Sequence, residues 1–379
     1  MYQNFYTKCD SYNKEYLKEA IEKILAPLAG ELGSFNNKSI MIKPNLLAYR
    51  KDEDPACVHP NLIVAIVEYL LSCGAKQVAI IENPAVKTAP AVLADMKIAT
   101  RLKELNVQMA NCNNYQISKL PEICSFHQLE LAQEYKDFDI VINLAKLKTH
   151  GMMTLTMGVK NLFGLVRGSE RLGWHLAVGK DYEKFADMLL DIYLTVKPHI
   201  TIIDAIIAME GNGPGSGTPT KLGFLAAGND AIALDDAIAK KLNIKDIPQL
   251  KRAYARNLVS DYIDNGDVLE NISLKLPDPP RKELAWGVYF PPKLRNFLRQ
   301  HLISKPVVVK KDCVGCGVCA AMCPPATLKI IKGKPKFDLT TCIRCYCCQE
   351  HCPKGAIFPK KTLGMKIAET LERIFRLNH

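Results

Sequence analysis

Over the first 280 residues, short continuous apolar runs alternate with stretches of helical periodicity. The runs at 39–42, 78–81, 107–110, 138–144, 200–206 and 222–227 are rich in β-favouring and other apolar residues. Most lack polar alternation, the pattern of strands covered on both faces. Between them, residues 16–29, 60–72, 91–105, 182–195 and 230–242 carry helical spacing. Pro60 suits a first turn, and Cys73-Gly74 a helix end. Strand alternating with helix predicts an α/β domain over residues 1–276, with a mostly parallel sheet and flanking helices. Pro277, Pro279, Pro280, Pro291 and Pro292 then interrupt the pattern and predict a linker over 277–304. A short separate module follows at 305–358. Leu363, Ile367, Leu371, Ile374 and Phe375 predict a C-terminal amphipathic helix within 359–379.

Composition sharpens this division. The chain has 379 residues, 48% apolar and 23% charged, the balance of a globular protein with a core of its own. Its formal charge of +11 is unevenly spread. Residues 281–379 hold 19 Lys/Arg and 6 Asp/Glu, whereas residues 1–280 hold 31 and 33. Nine of the 14 cysteines lie between Cys313 and Cys352. No apolar run reaches the length of a membrane span, and the first residues lack a signal-peptide pattern. A cytoplasmic location is therefore expected, where clustered thiols mean metal ligation rather than disulfides.

Cys313, Cys316, Cys319 and Cys323-Pro324 match C-x2-C-x2-C-x3-C-P, and Cys342, Cys345, Cys348 and Cys352-Pro353 repeat it. This spacing serves a cubane cluster: three cysteines on a tight loop surround it, and the fourth reaches across to the other cluster. The expected ligand sets are Cys313, Cys316, Cys319 and Cys352 for one 4Fe–4S cluster, and Cys342, Cys345, Cys348 and Cys323 for the second. Zinc sites use paired C-x2–4-C motifs instead. Cys347, beside Cys348, is out of register and reads as a bystander thiol. Residues 305–358 resemble the bacterial two-cluster ferredoxins. Paired clusters suit one-electron transfer better than a purely structural staple.

In open α/β sheets, ligands bind beyond the carboxyl ends of the strands. Here those ends are followed by Lys43 and Asn45, by Glu82-Asn83, by Lys146, Lys148 and His150, by Lys160-Asn161, and by Glu210 before a glycine-rich stretch. Converging lysines would hold a carboxylate or phosphate and leave a histidine or lysine for proton transfer. The blander reading is solvated lysines, a turn asparagine and a surface histidine. The glycine-rich stretch matches neither common phosphate-binding fingerprint and reads equally as a loop between strands. Cys57 and His59 are too few to argue a metal, and His175 and His199 sit in no metal pattern.

The segments Ile42-Lys43-Pro44-Asn45-Leu46, Asn143-Leu144-Ala145-Lys146-Leu147-Lys148-Thr149-His150, Gly158-Val159-Lys160-Asn161-Leu162-Phe163-Gly164 and Met209-Glu210-Gly211-Asn212-Gly213-Pro214 resemble the family called domain of unknown function 362, over roughly residues 35–270. The resemblance implies an α/β domain joined to iron–sulfur chemistry, without a settled reaction. It strengthens the grouping of the lysines and His150 in one site; with the other strand-end residues, the expected substrate-binding set is Lys43, Asn45, Lys146, Lys160 and Asn161, and the expected catalytic set is His150, Lys148 and Glu210. Two functions follow. One is an oxidoreductase passing electrons through two 4Fe–4S clusters to or from a small anionic substrate, with an external electron donor or acceptor protein. The other is a non-catalytic electron carrier or adapter whose basic tail docks a partner. Nucleic-acid binding is not expected, and the acidic residues interleaved in the last helix argue against a membrane surface.

Overall fold

The structure is a computed structural model that describes residues 1–277, apart from 48, 50–53, 85–86, 179–180, 216 and 271, together with residues 305–360. The expected linker therefore lies outside the described residues except for Pro277. The expected C-terminal helix does so except for residues 359 and 360, which end a strand instead.

The chain opens with a strand that the apolar pattern does not reveal, Tyr2–Lys8 (β1). Next come Lys14–Glu31 (α1), Ser39–Pro44 (β2), Pro60–Ser72 (α2) and Gln77–Ile81 (β3). Ala89–Asp95 (α3), Ala99–Glu104 (α4) and Gln108–Ala110 (β4) follow. A hairpin, Tyr115–Lys119 (β5) and Gln128–Ala132 (β6), leads into Ile140–His150 (β7) and Thr154–Thr156 (β8). Gly158–Asn161 (α5), Gly168–Val178 (α6) and Tyr182–Val196 (α7) precede Ile200–Glu210 (β9) and Thr218–Gly228 (β10). Ala231–Lys241 (α8), Pro248–Ala255 (α9) and Tyr262–Gly266 (β11) complete this part.

Nine of these strands form one sheet in the order β11-β1-β10-β9-β7-β2-β3-β4, with β8 paired to β7. The run from β9 to β4 is parallel, and β10 pairs antiparallel with both β9 and β1. The fold is thus a mostly parallel mixed sheet with flanking helices, as expected. Apolar side chains alternate across it. Ile40, Ile42, Ile140 and Ile142 join α1 and α2 in one core, whereas Met41, Ala79 and Val141 join α7 in another.

Four of the expected elements differ from the sequence reading. The helix expected over 91–105 is two helices, because Lys97 adopts a left-handed φ of 62° and the chain turns there. Strand β7 does not stop near 144 but runs to His150, with all eleven residues buried. Strands β9 and β10 are also longer than expected and are joined by the glycine-rich stretch.

The cysteine-rich part pairs Lys305–Val308 (β12) with Ile357–Lys360 (β15), and Leu328–Ile331 (β13) with Lys334–Phe337 (β14). It has two short helices, Val318–Ala321 (α10) and Cys347–Glu350 (α11). Among the described residues, no helix is long and apolar enough to cross a membrane.

Candidate functional site

The chain passes from β2 outward through β3 and β4, then returns to place β7 on the other side of β2. The junction of β2 and β7 is therefore a topological switch point, where doubly wound sheets open a crevice at their carboxyl ends. A small pocket lies there, lined by Asn45, Lys146, Lys148, Thr156, Met157, Lys160, Asn161, Pro214 and Glu350. Five of the eight α/β residues expected from sequence are thus brought together, from the β2 exit, β7 and α5. Glu350 comes from α11 of the cysteine-rich part.

Local structure explains the placement. Side chains alternate along β7, so Lys146, Lys148 and His150 share one face, while Ala145 and Leu147 pack into the core behind it. Asp235 accepts from Gly158 N and Val159 N at 2.8 and 3.0 Å, and so holds the first turn of α5. A Cβ on Gly158 would lie 2.6 Å from Thr201 Cγ2 and 3.1 Å from Asp235 Oδ1, so only glycine fits this approach. Asn143 Nδ2 donates to Gly158 O at 2.9 Å. Asn161 Nδ2 in turn donates to Asn143 Oδ1 (2.8 Å), Lys43 O and Leu144 O (both 3.3 Å). These bonds fix the amide and leave Asn161 Oδ1 buried with no partner among the described residues.

The lysines are not equivalent. Lys43 pairs with Glu82 at 2.5 Å, away from the pocket lining. Lys146 donates to Asp204 Oδ2 (2.8 Å) and Tyr12 OH (2.9 Å), so its charge is already matched. Lys148 donates to Asn45 Oδ1 (2.8 Å) and Ala56 O (2.9 Å), both uncharged, and an ammonium has one further hydrogen. Burial pushes the pKa of Lys148 down to about 8 and also lowers that of Lys160. Burial opposes ionisation of Glu350, but the facing Lys160 and His351 outweigh it and hold its pKa below the ordinary carboxylate value.

His150 is 3% exposed, and its Nδ1 accepts from Met152 N (3.0 Å) and Met153 N (3.1 Å). Burial, helped by Lys160, holds its pKa well below the ordinary value. The ring is therefore neutral with its proton on Nε2, which is buried without a partner among the described residues. Glu210 lies outside the pocket lining: its Oε2 accepts from Lys275 N at 3.0 Å.

Sequence reasoning missed the acidic supports. Asp204 is the partner of Lys146 and also accepts from Tyr12 OH (2.7 Å) and His59 N (3.1 Å). Tyr12 stacks on His59 with ring centroids 3.7 Å apart. Only distance in sequence hid them; a buried lysine requires a partner, but nothing local says which acid supplies it. Cys57, weighed with His59 as a metal ligand and set aside, accepts from Leu47 N at 3.2 Å.

The cysteines separate into two neighbourhoods. Cys313, Cys316, Cys319 and Cys352 line one cavity with Gly315, Gly317 and Pro353. Burial and the nearby Cys345, Cys342 and Cys323, with a smaller contribution from Cys319, raise the pKa of Cys348 well above the ordinary value, while Cys352, Cys316 and Cys313 add to burial at Cys319 and push it up to about 11. Such grouped thiols ionise together only around a cationic core. All three guanidinium nitrogens of Arg344, between Cys342 and Cys345, are buried without a partner among the described residues. Ala356 N donates to Cys352 Sγ at 3.2 Å. Both features suit an anionic iron–sulfur group. Helix α11 docks on the α/β part through Gln349 Nε2, which donates to Asn212 O at 2.7 Å.

Comparison with known proteins agrees with this architecture. A model for a 4Fe-4S dicluster domain matches residues 305–353, so the chain carries an iron–sulfur electron-transfer module. A thylakoid-associated protein of Synechocystis sp. is 34% identical over 239 residues, covering 62% of this chain and 73% of that protein. One component of a ferredoxin/F(420)H(2)-dependent CoB-CoM heterodisulfide reductase from Methanosarcina acetivorans is 37% identical over 58 residues, covering 12% of this chain and 36% of that component. Among solved structures, the lactate racemase apoprotein from Thermoanaerobacterium thermosaccharolyticum aligns with a TM-score of 0.42 and 15% identity over 65% of this chain and 58% of that one. The model for a domain of unknown function (DUF362) matches residues 40–240, more than half of the chain, and the chain belongs to that family.

Proposed function

We propose that this protein is an oxidoreductase in which two 4Fe–4S clusters exchange electrons with a small anionic molecule held at the β2–β7 switch point. The first cluster takes Cys313, Cys316, Cys319 and Cys352; the second takes Cys342, Cys345, Cys348 and Cys323. When bound, they supply one-electron transfer. The observation that carries the reading is the position of α11. The helix that bears Cys348 also contributes Glu350 to the pocket that holds Lys148 and Lys160. A carboxylate already faces Lys160, which supports a negatively charged ligand group there.

In this reading Lys148 and Lys160 bind the anion: Lys148 hydrogen-bonds only uncharged oxygens, and Lys160 faces Glu350 across the pocket without the close ion pair that Lys146 and Lys43 make. His150 donates a hydrogen bond from Nε2, and Asn161 accepts one at Oδ1. Proton exchange belongs to Lys148, whose pKa of about 8 lies near operating pH. Lys43, Lys146 and Glu210 act as supports. The pocket's small size and the intrusion of Glu350 favour one rival, a carrier with no substrate.

The deciding experiment uses anaerobically purified protein reduced by methyl viologen radical and offered a panel of small carboxylates and phosphate esters. Substrate-dependent reoxidation is expected, lost at least tenfold in Lys148→Met and Lys160→Met with iron content unchanged. If no member of the panel reoxidises the protein faster than buffer, and no anion copurifies by native mass spectrometry, the carrier reading stands instead.

A further inference from the structure

The two ends of the cysteine-rich module face different surroundings. Cys347 and Cys348 are buried, and α11 is turned toward the α/β part by the Gln349–Asn212 bond and by Glu350. At the other end, Cys316 is the one exposed cysteine among the described residues. Beside it, Val314 is 62% exposed, and Ile331 at the neighbouring hairpin is 47% exposed. That hairpin packs directly on the cysteine loop: a Cβ on Gly315 would lie 2.6 Å from Gly333 O.

The exposed apolar tip is ringed by positive charge. Lys310, Lys311, Lys332 and Lys354 are all exposed. Lys354 lines the same cavity as Cys316. Lys334 Nζ donates to Lys310 O (3.0 Å) and Cys313 O (2.6 Å), which ties the hairpin to the loop. Residues 305–337 hold seven lysines and a single acid, Asp312, whereas residues 338–360 hold three Lys/Arg and two acids. The basic excess of the module is thus concentrated around the outward cysteine set. An apolar centre with a ring of one charge sign is a surface for a complementary partner.

We propose that the Val314–Cys316 tip with its lysine ring is the docking face for an acidic one-electron carrier protein, and that the cluster of Cys313, Cys316, Cys319 and Cys352 is the port between that carrier and the pocket-side cluster. The inference rests on the two-cluster reading given above. One electron leaves the reduced carrier and enters the port cluster; no bond forms or breaks, and an oxidised carrier takes the same route in reverse. Complementary charge raises the encounter rate and makes it sensitive to salt.

The test uses the full iron-loaded chain and an acidic bacterial flavodoxin hydroquinone as donor in anaerobic stopped flow. The second-order rate of cluster reduction is expected to fall steeply as salt shortens the screening length below about 10 Å. In Lys311→Glu/Lys332→Glu/Lys354→Glu, that rate falls by roughly tenfold or more at low salt. Affinity for oxidised flavodoxin, read by calorimetry, falls with it. Reduction by methyl viologen radical cation, which does not use the ring, does not slow. An equal charge reversal elsewhere, Lys18→Glu/Lys103→Glu/Lys119→Glu, has a much smaller effect. If the reversal disturbs cluster assembly, Lys311→Gln/Lys332→Gln provides the same comparison with a smaller loss. Full iron content and spectra with an unchanged flavodoxin rate and affinity overturn the docking face alone. A loaded chain without two reducible clusters by electron paramagnetic resonance overturns the two-cluster reading beneath it.

Discussion

Lys148 carries the clearest consequence of burial on a single side chain. Its ammonium donates to a carbonyl and an amide oxygen rather than to a carboxylate, so burial outweighs the more distant Cys57, Glu350 and Asp54 and its pKa falls to about 8. A bound anion restores the missing partner and raises that pKa. Proton linkage then sets the sign: binding is nearly independent of pH below the free-protein pKa and weakens as pH rises through about 8, because the proton must be held for the complex to form. Acetate, followed by chemical-shift titration, is a sufficient probe. Its affinity is expected to drop by close to tenfold per pH unit above that point, until the pKa of the complex is reached. Lys148→Met should show weak binding with no such bend. A bend that survives in the variant would assign the titration to another group.

Among the secondary-structure elements, α5 shows why some of the site was legible and some was not. The motif Gly158-Val159-Lys160-Asn161 was visible as a polar segment after a strand, and the apolar runs located β2, β3, β7 and β9 because burial on both faces leaves a local signature. The cysteine ligands were legible for a similar reason, since loop ligation of a cluster demands fixed short spacings. Asp235 and Asp204 were not, nor was the pairing of Glu82 with Lys43, because each meets its partner across 39 to 77 residues of chain. The extension of β7 was hidden because lysines and a histidine in a strand look like a loop until their buried partners are known. Asp235 and Gly158 together make α5 sensitive to one methyl group. Gly158→Ala drives a Cβ into Thr201 and Ala231 and is expected to cost about 1–3 kcal/mol of stability. Denaturant unfolding of the anaerobic protein measures it, and an unchanged midpoint would mean that the helix shifts without penalty. Lys160 rides on this helix, so acetate affinity is expected to fall in the same variant.

For the whole molecule, the decisive feature is that the module bearing the cysteines closes over the crevice of the α/β domain with a carboxylate of its own. Glu350 lines the pocket with Lys148 and Lys160, and its strongest opposing charge is Lys160. A ligand anion at that position competes with Glu350 for the same lysine. Electrostatic competition of this kind is intramolecular, so the tethered group acts at a high effective concentration. Glu350→Gln removes the competitor while keeping the shape of the side chain, and acetate affinity is expected to rise by roughly three- to tenfold. Gln349→Ala loosens the neighbouring docking bond to Asn212 without altering pocket charge. It is expected to raise hydrogen exchange in residues 347–351 while changing acetate affinity less than Glu350→Gln does. Weaker acetate binding in Glu350→Gln would mean instead that Glu350 helps to build the anion site, by holding Lys160 in place. The same pair of variants then separates a carboxylate that guards the pocket from one that completes it.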